Sequence, residues 1–350
     1  MITIKQILYL NIISIFIFSC KPEVKKDAST GSASVASKQD SLMQKLNSPE
    51  LKAVNDKLRN NPKDASLYNE RAKIYTVFKQ FDEAIGDGLR AMNLDSTKAD
   101  YYVTLADVYF ASNKTRYSKD MLESAVKKFP TNTEALLKLA ELFFIVKQYE
   151  NSLSYINKAL KINENIAKAY YLKGTVYKES GDTTKAISSM ETAVEQDNKY
   201  FEAYLDLGLL HAVHKNPIAF EYYDNALRLK PGSEDALYAK AKLFQDLNKI
   251  EEAIMIYEKI LVSDKNSHKC LYNLGAIYLS KKDDKKRAID YFSKAIAVNP
   301  KYTEAYYARG VCFGMLKDKD NAIADFNMSL QITPNYEPSV EALNELQRKK

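Results

Sequence analysis

Residues 268–302 read HKCLYNLGAIYLSKKDDKKRAIDYFSKAIAVNPKY, and residues 303–336 read TEAYYARGVCFGMLKDKDNAIADFNMSLQITPNY. The second stretch repeats the pattern of the first, because glycine stands at the eighth position of each, as Gly275 and Gly310, and tyrosine at the fifth. Each stretch also closes on a proline that is followed two residues later by tyrosine. The two stretches are therefore copies of one unit of about 34 residues.

The same unit runs outward from this pair and covers residues 65–336 in eight copies. The copies start at Ala65, Ala99, Thr133, Ala167, Phe201, Glu234, His268 and Thr303. Position 8 is small in every copy, as Ala72, Ala106, Ala140, Gly174, Gly208, Ala241, Gly275 and Gly310. Only the fifth copy is a residue short and only the seventh a residue long, at 216–217 and 281–284, where a turn between helices tolerates a change of length.

Large side chains flank the small ones within each unit. Positions 4, 8 and 11 are spaced by four and three residues, so they share one face of a helix. Positions 4 and 11 are mostly aromatic, whereas position 20 is always Ala or Ser. Small side chains at positions 8 and 20 allow two helices to approach to the lower end of the usual axis separation of about 8 to 10 Å. The predicted fold class is therefore all-α, with two helices in each unit.

This pattern resembles the tetratricopeptide repeat, which has small residues at positions 8, 20 and 27, aromatic residues at 4 and 11, and proline near 32. The resemblance implies a right-handed superhelical solenoid of about eight helix-turn-helix units with capping helices at both ends. The expected units are 65–98, 99–132, 133–166, 167–200, 201–233, 234–267, 268–302 and 303–336. Residues 48–64 and 337–350 are expected to form the capping helices, since a stacked array needs polar-backed ends to stay soluble.

The N-terminus has the features of a secretion signal. An apolar run from Ile7 to Phe18 is too short for a membrane span and fits a signal peptide over residues 1–19. The run ends beside Cys20 in a segment that resembles a bacterial lipoprotein signal, which implies that Cys20 is lipidated. A plain signal peptide or an uncleaved anchor helix is the alternative. The lipid would attach the chain to a membrane without crossing it.

Residues 20–47 contain almost no large apolar side chains and are expected to form a flexible tether. Together with the lipidated cysteine, the tether implies a chain anchored in the bacterial cell envelope. Lys21 follows the cysteine where sorting signals for the inner membrane carry Asp, so by analogy the outer membrane is expected, on its periplasmic or surface face. Membrane attachment is expected through this lipid alone.

The resemblance also implies a binding groove on the first helix of each unit, at positions 2, 5, 9, 12 and 13. Ten large side chains at positions 5, 9 and 12 are the candidate groove residues: Val103, Phe110, Leu137, Phe144, Tyr171, Leu205, Leu209, Tyr238, Tyr272 and Tyr307. Tyrosine suits a protein interface because it combines a large contact area with a hydroxyl group. The alternative is that the position-5 tyrosines pack against the neighbouring repeat. A protein or an extended or helical peptide is the expected partner.

No catalytic, cofactor or metal site is expected. His211 and His214 are three residues apart but lack the glutamate of a His-Glu-x-x-His site, and His211 stands at a packing position. The formal charge of +6 comes from 51 basic and 45 acidic residues and gives no reason to expect nucleic acid as a partner.

These observations predict a lipid-anchored scaffold or adaptor that supports envelope assembly or secretion. Two alternatives stay open. The chain could be a structural subunit of a secretion or motility complex, or an accessory protein that binds glycan or peptidoglycan.

Overall fold

The computed structural model describes residues 48–348, which form eighteen α-helices and no strand. The first helix is Pro49–Asn60 and the last is Glu337–Arg348. Ser48 caps the first helix, because its hydroxyl accepts a hydrogen bond from the Leu51 amide at 3.2 Å. The predicted all-α class is confirmed. Residues 1–47, which contain the predicted signal peptide, Cys20 and the tether, lie outside the described residues.

Between these two end helices, sixteen helices form eight pairs. The first helices of the pairs are Ala65–Val77, Ala99–Ala111, Thr133–Ile145, Ala167–Glu179, Phe201–Val213, Glu234–Asp246, His268–Ser280 and Thr303–Met315. The second helices are Phe81–Leu94, Thr115–Lys128, Tyr149–Ile162, Thr183–Gln196, Ala219–Leu229, Ile250–Ser263, Lys285–Val298 and Lys319–Ile332. Each first helix begins at the residue where the sequence pattern begins a unit.

The small residues at position 8 lie where the two helices of a pair cross. A Cβ atom added to Gly275 would stand 2.7 Å from the ring of Phe292, and one added to Gly208 would stand 2.4 Å from Tyr223. Both rings are completely buried. Glycine is needed at these crossings because the partner helix sends a large ring into the space that a Cβ would fill.

The turn inside each pair contains one residue in the left-handed backbone region. Glycine fills this position only in the fourth pair, as Gly181 with φ 87°. The other turns use residues with side chains: Lys79, Asn113, Lys147, Lys215, Asn248, Asp283 and Lys317. All eight turns therefore share one left-handed residue, although its type varies.

The described residues divide into two compact units, residues 48–207 and residues 208–348. The division falls within the helix Phe201–Val213. At the start of the first unit, Leu51 and Val54 of the first helix are buried. At the end of the second unit, Leu343 and Leu346 pack against the apolar core of the seventh and eighth pairs. Both end helices thus cover an apolar surface of their own unit.

Candidate binding face on the first helices

Positions 2, 5, 9, 12 and 13 of the first helices are called the groove face here, after the surface that the sequence analysis predicts. In the first unit, the first helix of repeat 2 contacts those of repeats 1 and 3, and that of repeat 4 contacts repeat 3. In the second unit, the first helices of repeats 7 and 8 contact each other. Equivalent positions of neighbouring repeats therefore lie side by side on this face.

The ten predicted groove residues differ widely in exposure. Val103, Leu137, Tyr272 and Tyr307 are buried, with 3 to 6% of their surface exposed. Phe144, Tyr171, Leu205 and Tyr238 are half-buried. Phe110 and Leu209 are exposed, at 40% and 39%. The buried members contribute mainly to packing between repeats, whereas the exposed ones are open to a partner.

The position-5 tyrosines of three repeats pack on a second tyrosine that precedes the next helix. The ring centroids are 4.9 Å apart for Tyr171 and Tyr200, and 5.1 Å apart for Tyr272 and Tyr302. The eighth repeat has the same pair, Tyr307 and Tyr336, at 5.8 Å. Tyr200, Tyr302 and Tyr336 are not among the predicted groove residues, although each is the last residue of a repeat that has tyrosine at position 5.

Burial dominates the acid–base properties of these rings. Removal from water raises the pKa of Tyr307 to about 12, and that of Tyr272 further, with the nearby charge of Glu304 adding to the rise for Tyr272. The Tyr171 hydroxyl donates to the Asp206 carboxylate at 2.9 Å. Burial, together with this carboxylate, raises the pKa of Tyr171. These phenols stay protonated at neutral pH, and that of Tyr171 serves as a hydrogen-bond donor.

Exposed apolar side chains on the groove face of the first three repeats form what we call the apolar strip: Val77, Phe110, Phe144 and Ile145. Val77 is 78% exposed and Ile145 is 53% exposed, both at position 13. Phe110 and half-buried Phe144 both stand at position 12. The first helix of repeat 2 contacts the first helices of repeats 1 and 3, so the four side chains stand at positions 12 and 13 of consecutive, adjoining helices. Clustered exposed apolar residues of this kind mark interaction sites.

Polar pairs also join neighbouring first helices within each compact unit. Lys138 pairs with Asp107 at 3.0 Å between repeats 3 and 2, and Lys178 pairs with Asp206 at 2.9 Å between repeats 4 and 5. In the second unit, the Asn273 amide donates to the Tyr238 hydroxyl at 2.9 Å. These contacts link the first helices of adjacent repeats.

Residues 48–348 show no group of three or more His, Cys, Asp or Glu side chains that could hold a metal ion. Half-buried His211 stacks on Tyr222 with ring centroids 5.4 Å apart, and its neighbour His214 is exposed. Within the same residues, no helix has both the length and the apolar composition that crossing a bilayer requires.

The pairs of helices define a helical-repeat scaffold, and the groove face is its candidate binding face. Two models of the tetratricopeptide repeat match the sequence, one at residues 103–165 and 276–337, the other at 167–200 and 234–266. Together these matches cover more than half of the chain. The protein belongs to the tetratricopeptide-repeat family, and this membership supports a protein-binding scaffold.

Two curated relatives illustrate how widely this fold is used. Subunit 3 of the anaphase-promoting complex of Schizosaccharomyces pombe is 19% identical over 61% of this chain and 33% of its own length. BBSome complex member BBS4 of Bos taurus is 23% identical over 64% of this chain and 50% of its own length. The chain thus spans half or less of the length of these relatives.

Solved structures show the same fold at low sequence identity. A tetratricopeptide repeat protein from Parabacteroides merdae has a TM-score of 0.53 and 19% identity, over 70% of this chain and 97% of that chain. The pilF protein of Pseudomonas aeruginosa has a TM-score of 0.52 and 15% identity, over 59% of this chain and 95% of that chain. At these identities the likeness concerns the fold alone.

Proposed function

We propose that this protein is a lipid-anchored scaffold of the bacterial envelope that captures a protein or peptide on the groove face of its first helices. It has no catalytic role, and it supports envelope assembly or secretion by holding its partner near the membrane. The apolar strip is the observation that carries the binding role, since three exposed apolar side chains and half-buried Phe144 lie on the groove face of three consecutive repeats.

The anchor follows from the N-terminal sequence. The apolar run ends at Phe18, Ser19 and Cys20 follow, and the next 27 residues are rich in Ser, Ala and Lys. A single acyl chain gives only marginal membrane binding, so a stable anchor needs more than one chain on the modified cysteine. Replacing Cys20 with Ala is expected to move the protein from the membrane fraction to the soluble fraction. Continued sedimentation with membranes would contradict the anchor without bearing on the groove face.

The binding role is tested by photo-cross-linking in the cells that make the protein. A benzoylphenylalanine residue replaces Phe110 or Phe144 in separate variants, and Tyr117 in a matched control. Tyr117 is 60% exposed but lies on the second helix of repeat 2, so it is accessible to solvent without belonging to the groove face. We expect a protein adduct from positions 110 and 144 and none from position 117.

The identity of the adducts separates this role from other uses of the fold. Adducts with one or more proteins from the strip positions alone support the scaffold. Adducts with polysaccharide alone, equal adducts from all three positions, or none would overturn binding at the strip.

A further inference from the structure

Two of the tyrosine pairs on the groove face flank one carboxylate, that of Glu304 at position 2 of repeat 8. Glu304 lies in the first turn of its helix, and Tyr307 follows three residues later, so the two side chains share a helix face. Burial raises the pKa of Tyr272, Tyr302 and Tyr336, and the charge of Glu304 raises each of these values further. We call these residues the tyrosine cluster: Tyr272, Tyr302, Glu304, Tyr307 and Tyr336.

The Glu304 carboxylate has no counter-ion within residues 48–348. Lys269 and Lys301 are close to the cluster in sequence, but both are exposed and neither pairs with Glu304. Glu304 itself is half-buried, and its oxygens remain open to solvent. A carboxylate that is partly removed from water is stabilised by a cation beside it. The cluster therefore presents a shielded negative charge that a molecule outside the chain can reach.

Repeat 4 shows what a similar arrangement holds within the chain itself. Tyr171 and Tyr200 form the same kind of pair, and the Tyr171 hydroxyl donates to the Asp206 carboxylate. The Lys178 ammonium lies 2.9 Å from that carboxylate and neutralises it. In the tyrosine cluster the carboxylate comes from position 2 instead of position 6, and repeat 7 has Leu279 where repeat 4 has Lys178. The cluster thus has the rings and the carboxylate of the repeat 4 arrangement but not its cation.

We infer that the tyrosine cluster binds a basic side chain of the protein partner, with the cationic group against the Glu304 carboxylate and the ring of Tyr302. Tyr302 and Tyr336 are half-buried, so part of each ring faces the guest. A cation over a tyrosine ring is attracted by the negative face of the ring, and more strongly where water is partly excluded. The apolar stem of lysine or arginine packs on the same rings. A neutral sugar would also stack on tyrosine, but it would leave the Glu304 charge uncompensated.

The inference rests on the proposed scaffold function and adds to it a charged anchor for the guest. The tyrosine cluster belongs to the second compact unit, whereas the apolar strip belongs to the first. The two surfaces are therefore tested separately.

The test compares two pools of twelve-residue peptides, selected from one random display library on the immobilised full chain and on its Glu304→Gln variant. We expect Lys and Arg to be enriched only in the first pool. One peptide found in the first pool alone is labelled for fluorescence anisotropy. Its basic residues are then replaced in turn, Lys by acetyl-lysine or Arg by citrulline, which removes the charge with little change of shape.

One of these replacements should weaken binding about tenfold, the effect of one charge-assisted contact. Glu304→Gln should weaken binding of the original peptide by a similar factor. Because both changes remove the same contact, the two losses should not multiply when they are combined.

Glu134→Gln is the matched control, because Glu134 also stands at position 2 in the first turn of its helix, with Leu137 in place of Tyr307. It removes the same interaction of a carboxylate with the helix dipole and should leave the dissociation constant unchanged. Tyr302→Phe keeps the ring and should bind as the unchanged chain does, whereas Tyr302→Leu should weaken binding about threefold. Melting temperatures show that the variants are folded, and the peptide series on the unchanged protein depends on no variant.

The inference is overturned if the two pools have the same content of Lys and Arg, or if the charge-neutral peptides bind as tightly as the original. Equal losses from Glu134→Gln and Glu304→Gln, or equal binding by Tyr302→Leu and Tyr302→Phe, would also overturn it. Displacement of the peptide by an N-acetylglucosamine tetramer would assign the cluster to a sugar instead. Protein cross-links from positions 110 and 144 without any Glu304-dependent peptide would keep the scaffold and remove this site. Absence of those cross-links would overturn the strip, whatever the result at Glu304.

Discussion

Single residues at the helix crossings set how closely each pair packs. In repeats 4, 5, 7 and 8, glycine at position 8 faces a large side chain at position 24: Met190, Tyr223, Phe292 and Phe326. Repeats 2 and 3 instead combine alanine with the aliphatic Leu122 and Ile156. The two positions thus compensate each other in these six repeats, whereas repeat 1 combines two small residues, Ala72 and Gly88, and repeat 6 combines Ala241 with Tyr257.

Gly275→Ala tests this close fit. The added methyl would lie 2.7 Å from the Phe292 ring, which is fully buried. Overpacking of a core costs about 1 to 3 kcal/mol, and the better helix propensity of alanine offsets about 1 kcal/mol of that cost. We expect a net loss of about 1 kcal/mol in the free energy of unfolding, measured by urea denaturation.

Gly86→Ala is the control for that substitution. Gly86 also lies inside a helix, but a Cβ atom there would meet nothing within 4 Å. This variant should gain about 1 kcal/mol from helix propensity alone. Equal shifts in the same direction for both variants would show that the ring contact at Gly275 does not limit the packing.

At the scale of the helices, the first and last repeats each have a buried ion pair that joins the two helices of the repeat. Arg71 Nε lies 2.6 Å from Asp87, and Arg309 Nη2 lies 2.8 Å from Asp325. Each pair joins position 7 to position 23. The carboxylates raise the pKa of both arginines, so the charge of each is secure. Repeat 2 has uncharged residues at the same two positions, Leu105 and Met121.

Breaking the last of these pairs should cost far more than replacing it. Arg309→Leu leaves Asp325, which is 5% exposed, without its counter-ion. An uncompensated buried charge of this kind costs about 3 to 5 kcal/mol, reduced here because the arginine side chain is 21% exposed. The double variant Arg309→Leu/Asp325→Met copies repeat 2 and should recover most of the loss. Thermal unfolding of the two variants side by side checks this, and a double variant no more stable than the single one would refute it.

The turns show what a periodic pattern does not predict. Every pair needs one left-handed residue, yet seven of the eight turns supply it with Lys, Asn or Asp instead of glycine. Such a conformation is unfavourable for a residue with a Cβ, and Asn and Asp tolerate it best. The spacing of small and large residues predicts the helices themselves, because it indicates which helix faces pack against each other. The left-handed conformation of the turn residue is instead imposed by the packing of the two helices against each other. Lysine at positions such as 79 and 147 gives no sign of it in the sequence.

At the scale of the molecule, the period predicted the number and order of the repeats but not which groove-face residues are open. Val103 and Leu137 stand at groove positions and are nevertheless buried, since neighbouring first helices close over them. The exposure of Tyr272 and Tyr307 depends on Tyr302 and Tyr336, which lie about 30 residues later in the linkers. A pattern confined to one unit contains neither partner. Lipidation at Cys20 stays a prediction of the sequence.

The buried tyrosines are expected to make the free energy of unfolding fall at alkaline pH. Tyrosine in an unfolded chain has a pKa near 10, whereas burial raises the pKa of Tyr307 to about 12 in the folded protein. Between these two values the unfolded chain has lost a proton that the folded chain keeps. The stability is therefore complete below pH 10 and falls as the pH rises towards 12, by at most about 1.4 kcal/mol per pH unit for this residue.

Tyr307→Phe isolates that contribution, since it removes the ionisable hydroxyl and keeps the ring that packs on Tyr336. Lysines lose their charge over the same pH range in every variant, so the informative quantity is the difference between proteins. From pH 9 to pH 11, the free energy of unfolding in urea should fall by about 1 kcal/mol less in Tyr307→Phe than in the unchanged chain. Tyr117→Phe, at a ring that is 60% exposed, should behave like the unchanged chain. Parallel losses in all three proteins would mean that Tyr307 ionises as readily when folded as when unfolded, and that its hydroxyl is not removed from water.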